Sequence, residues 1–124
     1  MAEKRVFPRI VSDWPLFLQT AGGQEEIGYI KNISLSGTLL YFSKDYRLEA
    51  GKSKFMLKLK NQQLDPPELL ITGLKEWTEI RENEVLLGLI LEELPRDERT
   101  TFIRFLSRSE KLQVEAFLVE GSEP

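Results

Sequence analysis

Lys54-Phe55-Met56-Leu57-Lys58-Leu59-Lys60 alternates with a period of two: Phe55, Leu57 and Leu59 face one way, and three lysines face the other. That is a strand with one buried and one wet face. The same short period extends from Trp14 to Leu91 and displaces the 3.6-residue period of helices over most of the chain. Residues 14–20 read as a first strand, with Gly22-Gly23 as the turn that leads to a second over residues 27–33. A polar link, Asn32 to Gly37, precedes a third strand over residues 38–42. Beyond the lysine-backed strand, residues 61–68 form a loop, because neither Pro66 nor Pro67 can donate to a ladder. Residues 69–80 and 84–91 are two long strands about a turn at Glu82-Asn83, and the second is apolar enough to require cover on both faces.

That cover is expected from a carboxy-terminal helix that starts at Pro95, carries Asp97 and Glu98 in its first turn, and presents Phe102, Ile103, Phe105 and Leu106. Residues 111–118, with Val114, Phe117 and Leu118, are read as prolonging this helix or beginning a second, ahead of a frayed Gly121-Ser122-Glu123-Pro124 tail. About six strands followed by a helix predict a mainly β fold: a closed or nearly closed antiparallel barrel, plugged or flanked at its end. The expected domain plan is an arm over 1–12, a barrel with its helix over 13–108, and a helical extension with tail over 109–124.

A chain of 124 residues can bury one core and is too short for two. It has neither cysteine nor histidine. Disulfides, zinc held on thiolates, thiol nucleophiles and histidine-based triads are therefore excluded, and an enzyme is not expected. The acidic pairs Glu25-Glu26, Glu92-Glu93 and Asp97-Glu98 read as solvated. A net charge of -3 does not suit a long phosphate backbone, so any anion site must be local. No apolar run approaches the roughly 20 residues of a spanning helix, and no cleavable leader is evident, so the reading is cytoplasmic without membrane insertion.

Two segments carry candidate chemistry. Arg5-Val6-Phe7-Pro8-Arg9 places two guanidinium groups on a proline-stiffened loop, where they can close on a compact anion or a purine edge. Asn32-Ile33-Ser34-Leu35-Ser36-Gly37 joins two predicted strands: Asn32 and Ser34 can present donors and acceptors to one ligand, and Gly37 permits a sharp turn or a close approach. Asn and Ser also serve simple turns, and exposed arginines alone are worth little.

Taken together, Arg-x-x-x-Arg followed one hairpin later by Asn-x-Ser-x-x-Gly, a β-rich body and a terminal helix resemble the PilZ domain family over roughly residues 3 to 108. Gly73-Leu74-Lys75-Glu76-Trp77 and Leu87-Gly88-Leu89 look like the family's closing pair of strands. The resemblance implies a six-stranded PilZ-type barrel that binds the bacterial second messenger cyclic di-GMP. Arg5 and Arg9 would grip guanine edges and phosphates, with Asn32, Ser34 and Gly37 lining the other side. In the family the arginine loop is flexible and folds over the ligand, handing the signal to a partner protein that the sequence does not identify.

Asn32 stands where many relatives have Asp, and Lys4 where some carry a bulky apolar residue. The latter position is linked in the family to binding one ligand or a stacked pair, and a cation leans toward the pair. Further candidates are Ser36, within the second motif, Trp77, whose ring could stack on a base, and Gly88 of the closing strands. Tyr29, Tyr41 and Tyr46 could stack in the same way or simply pack. The alternative expectation is a PilZ-like scaffold of pilus or flagellar machinery that binds no nucleotide. No metal or resident cofactor is implied.

Overall fold

Seven strands and one helix make up the described residues, 10–43, 52–110 and 112–119, of the computed structural model. In chain order they are β1 (Ile10–Thr20), β2 (Gly23–Ile33), β3 (Gly37–Ser43), β4 (Lys54–Lys60), β5 (Glu68–Ile80), β6 (Glu84–Leu91), α1 (Arg96–Ser109) and β7 (Glu115–Val119). The strands close into a barrel in the order β1-β2-β3-β6-β5-β4-β7, with β7 returning to β1.

The expected barrel with its helix is present, with one more strand than the six expected. After α1 the chain runs between β4 and β1, antiparallel to the first and parallel to the second. Without β7 both of those strands would be open edges. The segment expected to extend the helix is thus this closing strand. Its apolar residues fit either period: Val114, Phe117 and Leu118 have helical spacing, while Val114, Ala116 and Leu118 alternate. The barrel needs the second set, and those three are 0%, 0% and 1% exposed.

β1 also starts earlier than its sequence indicates, so residues 10–12 belong to the barrel and not to the arm. A bulge between Val11 and Trp14 breaks the alternation there. Asp13 sits in it at φ 49°, a left-handed conformation that Asp tolerates better than most residues. The Ser12 hydroxyl donates to the Ile30 carbonyl at 2.8 Å, and Lys31 lies 3.8 Å from the Asp13 carboxylate. β2 is likewise irregular between Ile30 and Asn32, so both strands kink at the same level.

Inward residues of every strand merge with Phe102, Phe105 and Leu106 of α1 into one core. The helix therefore caps the barrel by its apolar stripe, while Asp97 and Glu98 at its start and Arg108 at its end suit the dipole. None of the helices among the described residues is long and apolar enough to cross a membrane.

Candidate functional site

Strand pairing draws several of the candidate residues into one line. Val11 of β1 pairs with Asn32 of β2, Asn32 with Leu39 of β3, Leu39 with Gly88 of β6, and Gly88 with Trp77 of β5. Ile33, next to Asn32, is fully buried in the core, so by the pleat Asn32 and its row face outward. Residues distant in sequence, 11, 32, 39, 77 and 88, thus share one side of the barrel.

Gly88 shapes this row. A Cβ there would run into Cε2 and Nε1 of Trp77 and stand 2.9 Å from its Cζ2, so the indole lies down on the glycine backbone. The ring stays 41% exposed and offers an aromatic surface to the outside. Beside it the paired residues Leu74 and Ile90 are 40% and 46% exposed. Gly88→Ala is expected to lift the indole into solvent at a cost of about 1 kcal/mol, since a half-exposed side chain can swing away. Iodide quenching should read this directly, because the other tryptophan, Trp14, is buried; unchanged quenching would contradict it.

The neighbouring outward row holds Tyr29, Tyr41, Leu86 and Glu79 on β2, β3, β6 and β5. The two tyrosine rings stack with centroids 5.0 Å apart. Leu86 is buried although it faces out and lies outside the core cluster. The outer cover of β6 is therefore local at Gly88, where Trp77 lies, while the inner residues Leu87, Leu89 and Leu91 share one core with Phe102, Phe105 and Leu106 of α1. This corrects the expectation that the helix supplies the second cover.

Ser34, Ser36 and Gly37 build the turn at the end of the Asn32 row. Ser34 is buried; its amide donates to the Gly37 carbonyl at 2.8 Å, and its hydroxyl accepts from the Ser36 amide at 3.2 Å. The two serine hydroxyls are 3.3 Å apart. Ser36 is exposed, and its carbonyl accepts from the Leu91 amide at 3.0 Å. Gly37 begins β3 opposite Ile90, and Thr38 donates its hydroxyl to the Asn32 carbonyl at 2.8 Å. Ser34 shapes the turn, while Asn32 and Ser36 lie toward the surface.

Lys4, Arg5, Arg9 and Tyr46 lie outside the described residues. What can be placed is the point of attachment. Ile10, which follows Arg9, pairs with Ile33, and Val11 pairs with Asn32. The described part of β1 therefore begins opposite the second motif.

Burial is the main cause that raises the Tyr29 phenol above the ordinary tyrosine pKa, followed by the Glu84 carboxylate. The folded chain holds that proton more tightly than the unfolded one. Its contribution to stability is intact below the usual value of about 10 and is lost as pH rises through the folded-state value. Tyr29→Phe should accordingly flatten the alkaline fall in melting temperature, and an unaltered profile would count against this coupling.

Leu39, Leu74 and Ile90 belong to this face and were not singled out from sequence. Their only signal is parity: each lies an odd number of residues from an inward neighbour on its strand. Among the described residues no cluster of three or more Asp, Glu, His or Cys could hold a metal ion.

Fold and face together define a closed β-barrel with an outward aromatic floor, bordered by an asparagine, a tight serine turn and the attachment of an arginine-bearing segment. No protein-family model matches this chain, and no curated protein matches it.

Proposed function

We propose that this chain is a PilZ-type receptor, cytoplasmic and non-enzymatic, that binds cyclic di-GMP on the outer face of β2, β3, β6 and β5. In this reading the bound nucleotide orders the amino-terminal loop and so changes the surface offered to a partner protein. One observation supports the proposal: Ile10, the residue after the Arg5-x-x-x-Arg9 motif in sequence, pairs with Ile33, and Val11 pairs with Asn32, both within the Asn32-x-Ser34-x-x-Gly37 motif. Guanidinium forks match phosphate oxygens and the O6 and N7 edge of guanine, and an exposed indole gives a base a face to stack on. Asn32 and Ser36 supply polar contacts, Ser34 and Gly37 hold the turn, Gly88 seats Trp77, and Lys4 adds a cation.

Titration with cyclic di-GMP tests the proposal by calorimetry and by the intrinsic fluorescence of Trp77 and Trp14. Saturable binding at or below tens of micromolar is expected, with a spectral change carried by Trp77 and lost in Trp77→Phe. No heat in that range would overturn the nucleotide reading and favour a scaffold that works through protein contacts alone.

A further inference from the structure

The side of the barrel built by β1, β7 and β4 holds none of Asn32, Ser34, Ser36, Gly37, Trp77 or Gly88, and it has an outward row of its own. Strand pairing sets Glu26 of β2 beside Phe17 of β1, Phe17 beside Phe117 of β7, and Phe117 beside Lys58 of β4. Leu16, Ala116, Leu118, Leu57 and Leu59, their chain neighbours, belong to the core, so by the pleat this row faces out. The two phenyl rings stack with centroids 5.3 Å apart. Phe117 is 4% exposed, with the Lys60 ammonium 5.4 Å from its ring centre, while Phe17 is half-buried and keeps apolar surface toward the outside. One row further on, the paired residues Val119 and Met56 are half-buried too.

The row is charged at its two ends, with opposite signs. Glu26 is exposed and makes no ion pair with any described residue. Lys58 likewise has no acidic partner among the described residues, and its ammonium donates to the Gln19 side-chain oxygen at a long 3.4 Å. The other two lysines of β4 are matched, Lys54 by Glu92 at 4.0 Å and Lys60 by Glu68 at 3.7 Å.

We infer that two copies of this chain meet on this side. The order acid, Phe, Phe, base is its own complement. A two-fold axis in the interface, parallel to the strands and between β1 and β7, lays Phe17 of each copy against the Phe117 position of the other and sets each Glu26 opposite the other copy's Lys58. The ends of the row stand three strand spacings apart, about 14 Å, so the contact has an aromatic centre with an ion pair on either flank. The barrel is convex, which keeps the contact small and the dimer weak, and the long side chains of Glu26 and Lys58 reach across the gap that curvature opens at the flanks. An anionic surface fits less well, since with Lys54 and Lys60 already matched it would find a single unmatched lysine in the strand. Asn32 stands at the other end of β2 from Glu26, so this interface leaves the nucleotide site free and does not depend on it.

Sedimentation equilibrium of the full chain without nucleotide tests the inference, from about 10 to about 500 micromolar, the range of a weak interface. A dimer that weakens at high salt is expected. Glu26→Lys and Lys58→Glu each place like charges together on both flanks and should weaken association about tenfold or more. An equimolar mixture of these two variants should associate again, because the lysine introduced at position 26 meets the glutamate introduced at position 58 while native Lys58 meets native Glu26. Each variant should keep the wild-type melting temperature, having no ion pair within the chain to lose. The inference is overturned if the wild type is monomeric throughout, if either variant associates as the wild type does, or if the mixture stays monomeric.

Discussion

Gly28→Ala is expected to destabilise the fold by about 3 kcal/mol or more, at the upper end of what overpacking costs. A Cβ on Gly28 would overlap the Tyr41 carbonyl oxygen and lie 2.8 Å from its carbon and 2.9 Å from the Phe42 Cα. All of these are backbone atoms of β3, so no side chain can move aside. Relief requires β2 and β3 to separate, and that pairing also carries Tyr29 against Tyr41 and Asn32 against Leu39. Loss of ligand binding should therefore accompany loss of stability. Gly22→Ala is the matched control: its nearest neighbour is the Thr20 hydroxyl at 4.0 Å, and a change within about 0.5 kcal/mol is expected. Urea unfolding of the two variants decides the matter; equal midpoints would show that the close approach of β2 and β3 is not constraining.

On the proposed function, Arg5→Ala and Arg9→Ala should each weaken cyclic di-GMP binding about tenfold or more, and the double variant about a hundredfold if the two act independently. Lysine at either position should restore little, because a point charge cannot reproduce the planar donor pair. Melting temperatures without nucleotide should stay at the wild-type value, which separates a lost contact from a lost fold. Wild-type affinity in both single variants would place the site elsewhere on the barrel while leaving the fold untouched. In contrast, Gly88→Ala should alter the fluorescence response and weaken binding more mildly.

Most of the barrel was legible because strands write their burial as parity. β4 and β6 have the expected limits, 54–60 and 84–91, and the helix begins after Pro95 as its dipole residues indicate. The failures have local causes. At Ser12–Asp13 a bulge hides the first turn of β1 from any period-two reading. At residues 114–118 one apolar run satisfies two periods, and the choice is made by the gap between β1 and β4 that only a strand can close. Of the candidate site, the structure places only the residues from Asn32 onward. Asn32 and Trp77 were named for their chemistry, yet nothing local joins residues 45 positions apart.

By itself the sequence determined the class of fold, the absence of histidine and cysteine chemistry, and the two polar motifs, because composition and alternation are local properties of the chain. Tertiary structure decided which strands are neighbours and at what register. Only that register sets Val11, Asn32, Leu39, Gly88 and Trp77 in one row, seats an indole on a glycine, and turns the end of the chain into the strand that closes the barrel. The physical reason is that a hydrogen-bonded ladder accepts almost any sequence, so partner and register are settled by how all the inward side chains pack together in one core.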